Sequence, residues 1–356
     1  MVGTPLLAAL RDQSLEAADQ VLDEATKSGV VTSAVIHVMH RKTIHTRWFG
    51  SAKSENARFL LGSITKPICV TALMSFLDRG EFGLDDRLQK FIPEFQGDRR
   101  EQVTLRHLLT HSSGLPDQLS ENSKLRKSHA GLSEFVSGAI RTPLDFIPGS
   151  KYQYSSMGIL LATHVAELIS KTGILELVDQ TVFRPLGMKR SSLGLGQFAP
   201  DDVIPCQTKF AAPESGAGDP STRDWDWNSP YWRKLGAPWG GAHASAPDVA
   251  RFLAEFLNAQ GTVVKPETAR LMVTNQNPPG LTPRGLGFNV GVEAGSKRCS
   301  ARTFGHTGST GTLCWADPET EAICVVLTSL PGTAVKPHPR TVAAENFARE
   351  VRESGA

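Results

Sequence analysis

The 356-residue chain lacks a charge imbalance: Lys and Arg number 38 against 36 Asp and Glu, and no long run of either sign occurs. That argues against a nucleic-acid or anionic-membrane partner, which needs a basic patch. No segment reaches the ~20 apolar residues that span a bilayer, so no membrane partner is expected. The N-terminal Pro5-Leu6-Leu7-Ala8-Ala9-Leu10 is too short for the apolar core of a leader. Cysteines are few and odd in number: Cys69, Cys206, Cys299, Cys314 and Cys324, widely spaced and mostly in or beside apolar stretches. Buried free thiols in a reducing compartment fit that pattern better than a disulfide framework or a zinc site. The expectation is a soluble, cytoplasmic protein. Internal repeats and low-complexity tracts are also missing, and 356 residues suffice for one large core or two smaller ones.

What the chain does have is Leu61-Gly62-Ser63-Ile64-Thr65-Lys66, opening an apolar run that ends near Gly80. Ile68, Cys69, Leu73, Met74, Phe76 and Leu77 recur at helical spacing, which predicts a buried helix. Ser63 and Lys66, three apart, share one face of its first turn. The unpaired N–H groups and positive dipole end there favour negative charge developing on the serine. Pro67 is tolerated because the first turn has N–H groups to spare. A serine with a lysine one turn away is a nucleophile with a candidate base, although the spacing alone is common and a serine at a helix start is usually a cap.

Before this run, residues 15–27 read as a helix closed by Gly29, and residues 31–39 and 43–49 as a hairpin turning at Arg41-Lys42. After it, helical signals dominate to about Ala244. Thr104 caps a helix predicted over 105–111. His107 and His111 lie at i and i+4, but Leu108 stands where a zinc-protease motif needs Glu, so a hydrogen-bonded structural pair is expected and no metal. A Pro148-Gly149 turn leads through Tyr154-Ser155-Ser156 into an amphipathic helix over 157–170. Lys171-Thr172-Gly173 matches an active-site tripeptide by letters only, because a lysine and a glycine at a helix end are ordinary cap chemistry.

Residues 206–244 form a long irregular stretch in which Trp225, Trp227, Tyr231, Trp232 and Trp239 crowd together. A loop of that length is more often functional than filler. Its rings either line an apolar substrate pocket or pin the loop to the body. Ser245-Ala246-Pro247-Asp248 reads as a capping box before another amphipathic helix. Strands are then predicted over 285–292, 302–306, 312–316 and 322–329, followed by a closing helix over 340–352. Strands and their helices thus sit at both ends. The economical fold is α+β, an antiparallel sheet flanked by helices and formed by both chain ends (1–65 and 245–356), with a mostly helical domain (66–244) inserted.

Three pieces line up in chain order: Ser63–Lys66, Tyr154 after the Pro-Gly turn, and Gly305-His306-Thr307-Gly308-Ser309 between two strands. Together with His107-Leu108-Leu109-Thr110-His111-Ser112-Ser113-Gly114-Leu115-Pro116 and Pro185-Leu186-Gly187-Met188, they resemble the serine β-lactamase and penicillin-binding-protein superfamily. The closest pattern is its class C-like branch of β-lactamase-related esterases and D-aminopeptidases. The resemblance implies an acyl-enzyme on Ser63, proton transfer shared by Lys66 and Tyr154, and an oxyanion hole from the N–H groups of Ser63 and Ser309. It also places Ser156, His306, Thr307 and Gly308 at the substrate, with His306 titrating near 6.5 and orienting the tyrosine or a substrate carboxylate. No cofactor is implied.

One departure is informative. The family's Tyr-x-Asn reads Tyr154-Ser155-Ser156 here, and serine donates a single hydrogen bond where the asparagine amide donates two. With the aromatics of 206–244, Trp227 and Trp232 above all, offering apolar surface, the expectation tilts to a carboxylesterase on small to medium acyl esters, with weak β-lactamase activity beside it. A D-amino-acid peptidase or amidase, or a true β-lactamase, keeps the same machinery; a non-catalytic penicillin- or peptide-binding module would need none of it. No serine lies in the G-x-S-x-G elbow of α/β-hydrolases.

Overall fold

The computed structural model describes residues 4–354. A first helix, α1 (Thr4–Lys27), precedes the hairpin β1 (Ser33–His40) and β2 (Thr43–Gly50), which pair antiparallel around Arg41-Lys42. A short strand β3 (Phe59–Leu60) enters the buried helix α2 (Thr65–Leu77) through one tight turn at Gly62–Ile64. Helices α3 (Leu105–Leu109), α4 (Asn122–Lys127), α5 (Leu132–Arg141), α6 (Ser156–Ser170) and α7 (Ile174–Val178) follow. The chain then passes through β4 (Ser192–Leu193), α8 (Pro230–Leu235) and β5 (Ala242–Ala244) to α9 (Ala246–Asn258) and α10 (Pro266–Met272). Strands β6 (Asn289–Val290), β7 (Phe304–Gly308), β8 (Thr312–Asp317) and β9 (Ala322–Thr328) precede the closing helix α11 (Pro339–Glu353).

Six strands form one antiparallel sheet in the order β2-β1-β9-β8-β7-β6, so the two ends of the chain meet where β1 pairs with β9. The central strand β9 is a continuous and wholly buried run, Ala-Ile-Cys-Val-Val-Leu-Thr, because helices cover both faces there, whereas the edge strand β2 is mostly exposed. Helices α1 and α11 pack on each other and on one face, with Leu22, Phe347 and Val351 meeting Ile36, Val326 and Trp315. Helix α9 covers the other face, laying Phe252 and Phe256 against Phe288. Helix α2 is buried on all sides, each of its Ile, Leu and Phe residues worth roughly 1.5–3 kcal/mol of burial. It packs on α6, and both lie in the core with the helices around them. Among the described residues no single helix is long and apolar enough to cross a membrane. The five cysteines are free and buried.

Three local expectations need correction. Helix α3 stops at Leu109, and His111 adopts a positive φ of 59°, so His107 and His111 do not share a helix face and do not pair. His107 instead closes a capping box with Thr104, and His111 bonds to Ser155. Ser245 caps α9 by accepting from the Asp248 N–H, but the Asp248 carboxylate turns to Arg190 N and Ser191 Oγ, so no reciprocal box forms. The predicted strand over 285–292 is reduced to Asn289–Val290, its approach bent through Gly287 at positive φ.

Candidate active site

Ser63 is placed by the junction between the small β3-β5-β4 sheet and the large one. Leu61 N donates to Ala242 O at 2.8 Å, Thr312 Oγ1 donates to Leu61 O at 2.6 Å, and Thr310 Oγ1 to Leu60 O at 2.7 Å. The backbone reverses at Gly62, φ 55°, so closely under β7 that a Cβ there would meet Thr310 Oγ1 at 2.9 Å and Ser309 N at 3.2 Å. Gly308 is equally constrained, since its Cβ would overlap Leu61 O at 2.2 Å. These two glycines let the Ser309 N–H come up beside the Ser63 turn. The turn after β7 is clamped by the half-buried Arg340, which donates to Gly308 O at 2.6 Å and Thr312 O at 2.8 Å. Burial brings that guanidinium down to about 10.

One helical turn on, Lys66 is 1 % exposed and its ammonium donates to Ser63 Oγ at 2.9 Å and to Trp239 O at 2.8 Å. The same Nζ sits 4.7 Å from the centre of the Tyr154 ring. Tyr154 is carried in on an extended segment zipped to residues 111–117. Gln153 N donates to His111 O at 2.9 Å, Ser155 N to His111 Nδ1 at 3.2 Å, and Ser155 Oγ to Pro116 O at 2.9 Å. The Tyr154 hydroxyl is buried without a hydrogen-bond partner, which leaves it free to exchange a proton with a reacting group.

Sequence reasoning missed the residues behind this tyrosine. His111 lies 4.5 Å from its ring, ring centre to ring centre, and accepts through Nδ1, so its proton is on Nε2. Arg284 stands 5.5 Å from the Tyr154 ring and donates to His306 Nε2 at 2.8 Å. A guanidinium only donates, so His306 carries its proton on Nδ1, which donates to Thr307 O at 2.8 Å. Both imidazoles are held well below 6.5, first by burial and then by the Arg284 and Lys66 charges. The expected titration of His306 near 6.5 is therefore wrong, and with both ring nitrogens engaged it is a neutral prop 6.1 Å from the Tyr154 ring rather than a ligand for a carboxylate. His111 carried a signal, its place in the His-Ser-Ser-Gly-Leu-Pro stretch; Arg284 carried none.

Ser63, Lys66, Tyr154, Ser156 and Ser309 open onto one pocket of about 130 Å³, which Trp227, Trp232 and Trp239 also line. Thr307, exposed on β7, and Gly308 do not line it. The tryptophans also belong to the main core, so they both pin the loop and wall the pocket, while Trp225 and Tyr231 only pin. Ser156 spends its hydroxyl on Asp117 Oδ1 at 2.6 Å, and its N–H meets the same oxygen at 2.9 Å. Asp117, Gln118, Arg126 and Glu214 complete the wall, and the sequence had not singled out any of them. A larger groove of about 1060 Å³ runs past α9 and β6 but touches none of Ser63, Lys66 or Tyr154. Among the described residues no group of three or more His, Cys, Asp or Glu is placed to hold a metal ion.

Comparison with known proteins agrees with this geometry. The family model described as Beta-lactamase matches residues 18–347. A protein of Escherichia coli (strain K12), provisionally named a D-alanyl-D-alanine carboxypeptidase, is 24% identical over 93% of this chain and 86% of its own length. Esterase EstB of Burkholderia gladioli is 33% identical over 48% of this chain and 49% of its own. Among solved structures, EstCE1, described as a hydrolase with promiscuous acyltransferase activity, superposes with a TM-score of 0.76 at 20% identity, covering 95% of this chain and 99% of that one. The chain belongs to the beta-lactamase family of serine hydrolases, which act on small-molecule esters or amides.

Proposed function

We propose that the chain is a carboxylesterase of this family, acylated on Ser63 and selective for small acyl groups. Ser63 Oγ attacks the ester carbonyl while its proton passes to Lys66 Nζ, 2.9 Å away, or to the unpartnered oxygen of Tyr154, whose ring lies 4.7 Å from the same Nζ. The N–H groups of Ser63 and Ser309 receive the negative charge that forms on the carbonyl oxygen, a contribution of about 3–4 kcal/mol for each donor. Collapse expels the alcohol with the transferred proton and leaves the acyl group on Ser63, from which water removes it.

The observation that carries the ester preference is Ser156. Its only side-chain donor is committed to Asp117, so it has no proton left for the carbonyl oxygen of an amide side chain of a lactam or peptide. A pocket of about 130 Å³ further suits short acyl chains, below the ~300 Å³ at which drug-sized ligand sites begin. Similarity to an esterase over half the chain supports the same reading. The test is a p-nitrophenyl ester series set beside a chromogenic cephalosporin and a D-Ala dipeptide. Turnover of acetyl and butyryl esters well above both other substrates is expected; a higher kcat/KM on the cephalosporin or the dipeptide would overturn the assignment.

A further inference from the structure

Arg126 is a pocket-lining cation whose chemistry the esterase reading leaves unused. It sits on α4, 1 % exposed, with its guanidinium 3.8 Å over the Trp232 ring and its Nε donating to Asn122 Oδ1 at 3.3 Å. Its Nη1 is buried with no hydrogen-bond partner. Of the other pocket charges, Lys66 is engaged with Ser63 and the Trp239 carbonyl, and Asp117 with Ser156. Glu214 acts on Arg126 through its charge but forms no ion pair with it.

A buried guanidinium whose Nη1 lacks a hydrogen-bond partner carries a desolvation cost that the Glu214 charge and the Trp232 ring offset only in part. The contact with Trp232 and the hydrogen bond from Nε to Asn122 hold the guanidinium in place, so its Nη1 is already organised for a carboxylate oxygen. We propose that Arg126 is an acid-reading subsite of the Ser63 pocket, so that the acyl group this enzyme prefers carries a carboxylate at its far end. The proposal rests on the esterase reading and deepens it to half-esters of short dicarboxylic acids. The acid belongs to the acyl half because that half stays bonded to Ser63 Oγ after the alcohol has left, and a fixed buried cation can hold it through both steps. The pocket volume limits the chain between the two carbonyl carbons to a few methylenes.

The test separates binding from turnover. Ser63→Ala protein is titrated with monomethyl glutarate and with methyl glutaramate, its neutral amide counterpart, following the fluorescence of the pocket tryptophans. Hydrolysis of the same two esters by the unaltered protein is followed in a pH-stat. The acid is expected to bind at least about tenfold more tightly than the amide, the scale of a charge-assisted pair over a neutral one. That ratio should fall to about one when Arg126→Met is added to Ser63→Ala. Circular dichroism checks the fold, and Arg126→Lys, which keeps the charge but not the fork, should weaken the ratio and serves if the methionine variant does not fold. Equal binding, tighter binding of the amide, binding of neither, or a preference that survives both substitutions overturns the subsite. A preserved binding preference without hydrolysis of any ester would instead overturn the esterase reading and leave the subsite standing.

Discussion

The pocket has two walls built in opposite ways. On one, Ser63 and Lys66 stand one helical turn apart in a single buried helix, with the Ser309 N–H brought beside them by two glycines that tolerate no side chain. On the other, Asp117 and Arg126 come from one part of the chain, the latter on α4, and Glu214 and Trp227 from the irregular stretch about ninety residues later. The first wall is fixed by local geometry and backbone, as the proposed chemistry requires; the second depends on long-range packing, and so can change without disturbing the first. If that division is right, substitutions on the first wall should cost kcat for every substrate, and substitutions on the second should redistribute kcat/KM among substrates.

The largest expected effect is from Ser63→Ala, which should lower ester turnover by about 10⁴-fold or more while leaving the fold intact. Lys66→Met and Tyr154→Phe should each cost about 10²–10⁴-fold in kcat, the range of general acid–base catalysis, with little change in KM. Gly62→Ala tests the backbone part of the same wall. Its Cβ would press on Thr310 Oγ1 and Ser309 N, and a displaced oxyanion donor is expected to cost about 10²-fold in kcat for short and long esters alike. A selective loss on one acyl chain would break the comparison.

Trp227→Ala should have the smallest effect and a different character. Each methylene newly accommodated is worth about 0.8 kcal/mol, so kcat/KM should rise roughly fourfold per added carbon relative to acetate. A change in thermal stability without a change in chain preference would show that this ring only pins the loop.

Between these lies a pH effect. His243, fully buried on β5 with Nδ1 at 2.8 Å from Gly194 O, is brought down to about 4 by burial, and His111 and His306 are held well below 6.5 for the same first reason. A neutral buried imidazole binds its proton more weakly than the unfolded chain does. Its contribution is therefore complete above pH 6.5 and is lost as pH falls toward 4. For His243 alone the loss by pH 5 is about 2 kcal/mol, to be read from denaturant unfolding at pH 7.5 and pH 5. Stability unchanged over that interval would contradict the neutral assignment of these rings.

The same division explains what the sequence could show. Ser63, Lys66 and the Gly305–Gly311 stretch are legible because their chemistry depends on spacing within a short segment, and the sheet is legible because its central strands β1 and β9 are largely apolar runs bounded by turns. Tyr154 was found from its Pro-Gly turn and order in the chain. His111 was read as half of a helical pair because spacing alone cannot show that α3 ends two residues before it. Arg284 and Arg126 left no local trace, since each acquires its meaning only from a ring or imidazole far away in sequence. His306 was misread in charge rather than in place, because the desolvation that neutralises it is a property of packing.

The central claim is that Ser63 is the acylated nucleophile. Intact-mass spectrometry of the unaltered protein and of Ser63→Ala, quenched during turnover of p-nitrophenyl butyrate, tests it most directly. The expected result is one acyl group per chain on the peptide containing Ser63, and none on the variant. An acyl adduct elsewhere, or undiminished turnover by Ser63→Ala, would contradict it.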